Sequence, residues 1–185
     1  MTDNERLIRL LAERSTKRGQ FTLASGKRSE YYIDARLTTM SPEGLSLIGR
    51  LALSRLRECG WPVDSVGGLT LGADPISYAI SYASASSSKP LRAFTVRKEA
   101  KPHGIGKIIE GPFEKNDRVV VIEDVITTGG SALRAIEAVR AESGTVSGVL
   151  ALVDREEGGR QAIEATGVRV ISIVAASQII RALET

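Results

Sequence analysis

Glu123 and Asp124 are adjacent carboxylates set between two unlike stretches. Ahead of them runs Val119-Val120-Val121-Ile122, and behind them Val125-Ile126-Thr127-Thr128-Gly129-Gly130-Ser131. An apolar run without polar alternation suits a strand covered on both faces of a parallel sheet. Carboxylates do not fit inside such a sheet, so the pair is expected to emerge at its C-terminal edge, where α/β folds bind ligands. Thr127 to Ser131 then form the turn into a helix over Ser131 to Glu142. Glycines there let the backbone approach a ligand closely, and free amides with the helix dipole attract an anion. Two acids beside an anion cradle repel phosphate unless they hold sugar hydroxyls or act through a metal ion. Vicinal ribose hydroxyls, with the sugar phosphate on the loop beyond, satisfy both halves. The segment is not a P-loop, because no Gly-x-x-x-x-Gly-Lys-Ser/Thr occurs in the chain. A full Gly-x-Gly-x-x-Gly is also lacking, since Gly104-Ile105-Gly106 has no third glycine.

Cations of the right kind lie elsewhere. Arg97-Lys98-Glu99-Ala100-Lys101-Pro102-His103-Gly104-Ile105-Gly106-Lys107 packs four cations and the only histidine around Pro and Gly. With little apolar surface to bury, it reads either as a solvated hairpin or as a lid that brings positive charge onto a polyanion. Arg155 follows Asp154 at the end of the apolar run Val146 to Val153. Its guanidinium suits bidentate capture of a carboxylate or imide, and the rival role is a salt bridge to Asp154 or Glu156. Gly67-Gly68-Leu69-Thr70-Leu71-Gly72-Ala73-Asp74-Pro75 is either a tight strand-to-helix connection or a second glycine-rich loop on the same cleft. Ser25-Gly26-Lys27-Arg28-Ser29 is a basic turn ahead of the aromatic pair Tyr31-Tyr32, which could cover a planar ligand.

The elements that must position these groups alternate. Leu7, Leu10, Leu11 and Arg14 give helical spacing from Asp3 to Lys17, with Gly19 as a stop. Phe21 to Leu23 and Tyr31 to Asp34 read as short strands. Ser41-Pro42-Glu43 starts a helix that runs to Gly60. Strands follow over Val63 to Gly68, Leu91 to Val96, the central run, Val146 to Val153 and Val168 to Val174. Helices fall at Pro75 to Ser84, Gly159 to Thr166 and Ser177 to Leu183. Such alternation predicts an α/β fold, a central parallel sheet flanked by helices.

The chain has 185 residues, 42% of them hydrophobic and 25% charged, which fits a single domain over 1–185. A net charge of +3 without a block of like charge argues against a nucleic-acid partner. One cysteine, Cys59, excludes an internal disulfide and fits the cytoplasm. One Cys with one His disfavours zinc. No signal segment and no membrane span are expected.

The string Val119 to Ser131 resembles the phosphoribosyl pyrophosphate (PRPP) motif of the type I phosphoribosyltransferases. Three further segments are similar to the orotate phosphoribosyltransferase family: Phe21-Thr22-Leu23-Ala24-Ser25-Gly26-Lys27 with Tyr31-Tyr32-Ile33-Asp34, the loop Arg97 to Gly104, and Asp154-Arg155. The resemblance implies a type I phosphoribosyltransferase fold with a small N-terminal hood over about 1–40, a core over about 41–185 and a flexible catalytic loop. It implies transfer of the phosphoribosyl group of PRPP to orotate, in pyrimidine synthesis. PRPP contacts would come from Arg97, Lys98, Lys101, His103, Glu123, Asp124, Val125, Ile126, Thr127, Thr128, Gly129, Gly130 and Ser131. Orotate would be held by Thr127, Arg155, Lys27 and Tyr32. Catalysis would fall to Lys101, His103, Arg97 and Asp124. Mg2+ would be held mainly through PRPP and pyrophosphate, without direct side-chain ligation. The family also implies a homodimer whose loop closes over the partner's active site.

Two positions depart from that pattern. Some members carry Lys where Ala24 stands, and Lys in the loop that here reads Leu71-Gly72-Ala73. Lys27 is the available compensation for the first. Two rival readings are a purine-base phosphoribosyltransferase, which would not need Arg155, and a PRPP-sensing regulator, which would need a DNA-binding module.

Overall fold

α1 (Asp3–Leu10) opens with a reciprocal cap: the Thr2 hydroxyl accepts from the Glu5 amide, and the Glu5 carboxylate accepts from the Thr2 amide. In the computed structural model, which describes residues 1–22, 26, 28–99 and 107–184, this helix ends in one π-helical turn, Leu11–Ser15. The helix expected to reach Lys17 stops short, because Thr16 already enters β1 (Thr16–Thr22). β1 pairs antiparallel with β2 (Arg28–Ile33), Lys17 opposite Tyr32 and Arg18 opposite Tyr31, and the register shifts between Arg18 and Phe21. Gly19 therefore sits in a β-bulge and does not terminate a helix.

A single turn, α2 (Arg36–Thr39), leads to α3 (Pro42–Cys59). The α3 boundaries follow local chemistry. Ser41 accepts from the Gly44 amide, Pro42 occupies the first turn, and Gly60 closes the helix in the left-handed region at φ 62°. Leu47, Ile48, Ala52 and Leu56 form its buried face; each fully buried Leu or Ile contributes about 1.5–3 kcal/mol.

The remaining chain is β3 (Ser65–Leu69), α4 (Ala73–Ser84), β4 (Arg92–Val96), β5 (Ile109–Glu110), β6 (Arg118–Ile126), α5 (Gly130–Ala141), β7 (Thr145–Asp154), α6 (Gly159–Glu164), β8 (Val170–Ala175) and α7 (Ala176–Ala182). The larger sheet has the order β5-β4-β3-β6-β7-β8. All its pairings are parallel except that of β5 with β4. The chain enters at β3, steps outward to β4, then returns past β3 to β6, so its winding reverses between β3 and β6. Open α/β sheets bind ligands at such a switch point.

Alternation along the strands builds a core on each face. Val120, Ile122, Leu150 and Leu152 pack with α1, α3, α4 and α7, including Leu7, Ile48, Ile76 and Ile179. Val119, Val121, Val149 and Ala151 pack on the other side with Ala135, Ile136, Val139 and Ile163 of α5 and α6.

The acidic pair departs from expectation in one respect. β6 continues to Ile126, so Glu123 and Asp124 lie within the strand. Glu123 is aligned with Ala151 of β7, but pairing with β3 ends at Gly67 opposite Val121. One edge of β6 is thereby open where the acids stand, which is why a covered strand tolerates them.

Candidate active site

Two cavities meet at the open edge of β6. The first, about 390 Å3, is lined by Tyr32, Asp34, Arg36, Asp124, Val125, Thr127, Thr128 and Arg155, among others. The second, about 250 Å3, is lined by Arg36, Thr70, Leu71, Gly72, Lys98, Glu123, Asp124, Ser131 and Arg134, together with Leu69. Asp124 and Arg36 belong to both.

Backbone economy makes room for this junction. A β-carbon on Gly68 would lie 2.1 Å from the Ile122 carbonyl oxygen, so only glycine lets β3 run so close to β6 just before the strands part. Gly129 holds φ 82° as the lead into α5, and a β-carbon there would also meet the Gly159 carbonyl oxygen at 2.8 Å. The turn Thr127 to Gly130 thus sets the start of α5 beside the cleft, with Thr127 and Thr128 on one cavity and Ser131 on the other, and free amides at a helix start suit an anion.

The two acids are unlike. Glu123 is 8% exposed, and its carboxyl is held well above the usual carboxylate range. Burial is the main cause; the charge of Asp124 and a hydrogen bond with it add to the effect, while the amides of Ala132 and Asp124 pull the other way. Asp124 is partly exposed, and its Oδ1 accepts from the Val125 amide at 2.9 Å. Glu123 is therefore the buried member of the pair, with burial favouring its protonated form, and Asp124 is the member that borders both cavities.

Arg155 is 4% exposed at the end of β7 and lines the first cavity. Neither Asp154 nor Glu156 pairs with it. Its partner is Glu157, at 2.8 Å from Nη2 and 2.9 Å from Nε. Nη2 also donates to the Ser29 hydroxyl at 3.1 Å, and the guanidinium lies 4.7 Å from the Tyr31 ring centroid. Asp154 instead pairs with Arg160 and accepts from the Glu156 amide. Arg155 is thus a buried cation fixed on three sides and facing a cavity.

Thr127, Thr128, Val125, Tyr32 and Arg155 come together in the first cavity. Lys98, Glu123 and Ser131 come together in the second, with Asp124 joining the two. Arg97 lines neither cavity: it stands 3.5 Å from Glu110, donates to the Glu99 carbonyl and borders a third cavity with Lys98 and Arg134. The side chain of Ile126 is buried in the core packed against α5, and Ile126 lines neither cavity. Lys27, Lys101 and His103 lie outside the described residues. The glycine-rich stretch Gly67 to Pro75 does face the cleft, through Thr70, Leu71 and Gly72. Sequence reasoning missed Arg36 and Arg134. Arg134 stands three residues after Ser131, hence on the same helical face, and that spacing was a usable signal. For Arg36 the signal was only its place beside Asp34, after an aromatic strand.

A mostly parallel sheet with a cleft at its switch point, and an acidic pair leading into a glycine-rich helix start, is the arrangement of the type I phosphoribosyltransferases. No family model matches the chain. It is 46% identical to the orotate phosphoribosyltransferase of Aquifex aeolicus over 183 residues, 97% of this chain and 99% of that protein. Among solved structures, orotate phosphoribosyltransferase of Mycobacterium tuberculosis in complex with PRPP is similar at a TM-score of 0.80 and 40% identity, covering 96% of this chain and 99% of that one. The complex of the same enzyme with Fe(III) dicitrate gives a TM-score of 0.84 and 42% identity over 96% of this chain and 99% of that one. The chain belongs to the orotate phosphoribosyltransferase family.

Proposed function

We propose that this chain transfers the phosphoribosyl group of PRPP to orotate, releasing orotidine monophosphate and pyrophosphate. The observation that carries the reading is the pair of cavities joined at Asp124, one with a buried arginine and an anion-binding turn, the other with Lys98 and Arg134. A displacement at the anomeric carbon needs nucleophile and leaving group on opposite sides of the sugar, and two cavities meeting at a carboxylate supply that arrangement.

In this mechanism the turn Thr127 to Ser131 takes the 5-phosphate through backbone amides and hydroxyls. Asp124 accepts from the ribose hydroxyls. Arg155, pre-ordered by Glu157, Ser29 and Tyr31, receives the orotate carboxylate, and Tyr32 covers its ring. A buried arginine is matched in charge as well as in fork geometry by a carboxylate, which a neutral purine lacks, and this favours orotate as acceptor. The bond from the ring nitrogen forms as the bond from anomeric carbon to oxygen breaks. The electron pair leaves with pyrophosphate, and the ring proton passes to water. Lys98 meets the leaving group, joined by Lys101 and His103 of the loop. Each well-placed donor of this kind is worth about 3–4 kcal/mol of transition-state stabilisation.

Among the described residues there is no cluster of three or more metal-ligating side chains. The single partly exposed carboxylate at the junction, Asp124, fits a Mg2+ ion that brings its own oxygens in pyrophosphate and water. When bound, Mg2+ supplies charge neutralisation on the departing pyrophosphate.

The working unit in this reading is a homodimer in the cytoplasm, with the N-terminal residues, about 1–40, as a hood on one domain. Support for association comes from an apolar face between α3 and α4, where Tyr78 and Tyr82 are 53% and 86% exposed beside a cavity of about 590 Å3. In this reading Arg97, which lines neither cavity of its own chain, acts on the partner's site. No helix among the described residues is long and apolar enough to cross a membrane.

The test is phosphorus NMR of PRPP with Mg2+, protein and either orotate or adenine. Pyrophosphate appearing one for one with orotidine monophosphate, and not with adenine, supports the reading. Turnover with adenine alone contradicts it.

A further inference from the structure

Arg36 is the only cation lining both cavities among the described residues. It opens α2, immediately after β2, and its side chain is held by Asp34 in a fork. Nε donates to Oδ1 at 2.8 Å and Nη2 to Oδ2 at 2.9 Å. The Arg36 hydrogen bond is the main reason the Asp34 carboxyl is held below its usual range. No described residue partners Nη1, and the side chain remains 47% exposed. Such a fork fixes the direction of the cation while leaving one edge to a ligand.

The facing wall makes this placement consequential. Thr70, Leu71 and Gly72 contribute no charge, and the Asp124 carboxylate leaves no room for a side chain on residue 72, since a β-carbon there would lie 2.5 Å from its Cγ. Lys98 and Arg134 line only the second cavity, and Arg155 only the first. Among the described residues, Arg36 and Asp124 are the two that line both cavities.

We infer that Arg36 is a substrate-contacting residue that grips the pyrophosphate of PRPP where it joins the ribose, opposite Asp124. The inference rests on the proposed phosphoribosyl transfer, and it assigns one residue's place within it. As the bond to the anomeric carbon breaks, negative charge grows on the pyrophosphate oxygen nearest the junction, and a pre-oriented guanidinium is strongest there. Orotidine monophosphate has no pyrophosphate, so its binding does not call on Arg36.

The experiment compares wild type with Arg36→Gln and Arg36→Lys, measuring Kd by titration calorimetry for PRPP, pyrophosphate and orotidine monophosphate, each with Mg2+, and kcat with orotate. An exposed ion pair contributes little to folding, so both variants should melt within a few degrees of wild type. Expected for Arg36→Gln are Kd values for PRPP and pyrophosphate about tenfold or more weaker, kcat lower by about 100-fold, and an orotidine monophosphate Kd unchanged within about twofold. Arg36→Lys should recover part of the loss, having charge without the fork. An active wild type with an unaltered Arg36→Gln overturns the inference and leaves the proposed function standing. Equal weakening of all three ligands makes Arg36 merely structural and also overturns it. A wild type inactive on orotate removes the transfer reading, and the inference with it.

Discussion

The Asp124 carboxylate occupies the space in which a side chain on Gly72 would begin: a β-carbon there would lie 2.5 Å from both Cγ and Oδ2. The loop after β3 and the acid of β6 are therefore fitted to each other, and glycine is the residue that permits it.

Gly72→Ala should accordingly push Asp124 off the position from which it is proposed to meet the ribose. A displacement of about 1 Å at a reacting centre costs on the order of 100-fold in rate. Steady-state kinetics should show that loss in kcat/KM for PRPP, with a melting temperature close to wild type, because the displaced group is partly exposed. A fully active variant would show that Asp124 is free to move without consequence.

Glu123 gives a pH prediction whose sign follows from linkage. Its folded carboxyl binds a proton more tightly than in the unfolded chain, where its value is the ordinary 4.5. Between the two values the native state carries the extra proton, so stability falls as pH rises above about 4.5. Glu123→Gln removes that dependence. The unliganded variant should melt above wild type at pH 8, with the gap closing toward pH 4, while its turnover drops. A gap that widened on acidification would reverse the sign and refute the burial argument.

Much of this was legible beforehand. The four apolar residues before Glu123 announced a covered strand, and Ser41, Pro42 and Gly60 marked both ends of α3, because caps and strand burial are written in adjacent residues. What escaped depended on partners far along the chain. Thr16 and Lys17 are strand because Ile33 and Tyr32 pair with them, while the apolar spacing before them reads as a helix that reaches Lys17. Glu123 sits inside β6 because β3 parts from β6 at Gly67, a topological fact absent from the local string. Arg155 pairs with Glu157 rather than with its neighbours because its side chain turns inward against Tyr31 and Ser29. Arg36 came into view only when the two cavities did.

Removing Arg155 should have two separable effects. Arg155→Ala strands Glu157 without its partner, and breaking a buried pair typically costs about 3–5 kcal/mol; chemical denaturation should show a loss toward the lower end, since the Glu157 side chain is 22% exposed. Adding Glu157→Gln should restore much of the stability and none of the affinity for orotate. If the double variant regained orotate affinity, the carboxylate would bind elsewhere.

Asp74 ties the same cleft to the face carrying Tyr78. It is 8% exposed and accepts from the Thr70 hydroxyl at 2.7 Å and from Thr95 at 2.8 Å, and Thr95 meets the Tyr78 hydroxyl at 2.9 Å. Asp74→Ala leaves two hydroxyls without their acceptor, at about 1–3 kcal/mol, and loosens Thr70 beside the pyrophosphate side of the cleft. The KM for PRPP should rise while that for orotate holds, and Tyr78→Phe, at the outer end of the chain, should do far less. A matching rise in both KM values would mean the loop shapes the whole site.

The most direct test of the account is the loss of orotate absorbance on mixing protein, PRPP and Mg2+, run beside Asp124→Asn. The loss should require both PRPP and Mg2+ and slow by about 100-fold in the variant. Orotate left untouched by wild type, in a sample that binds PRPP, would contradict it.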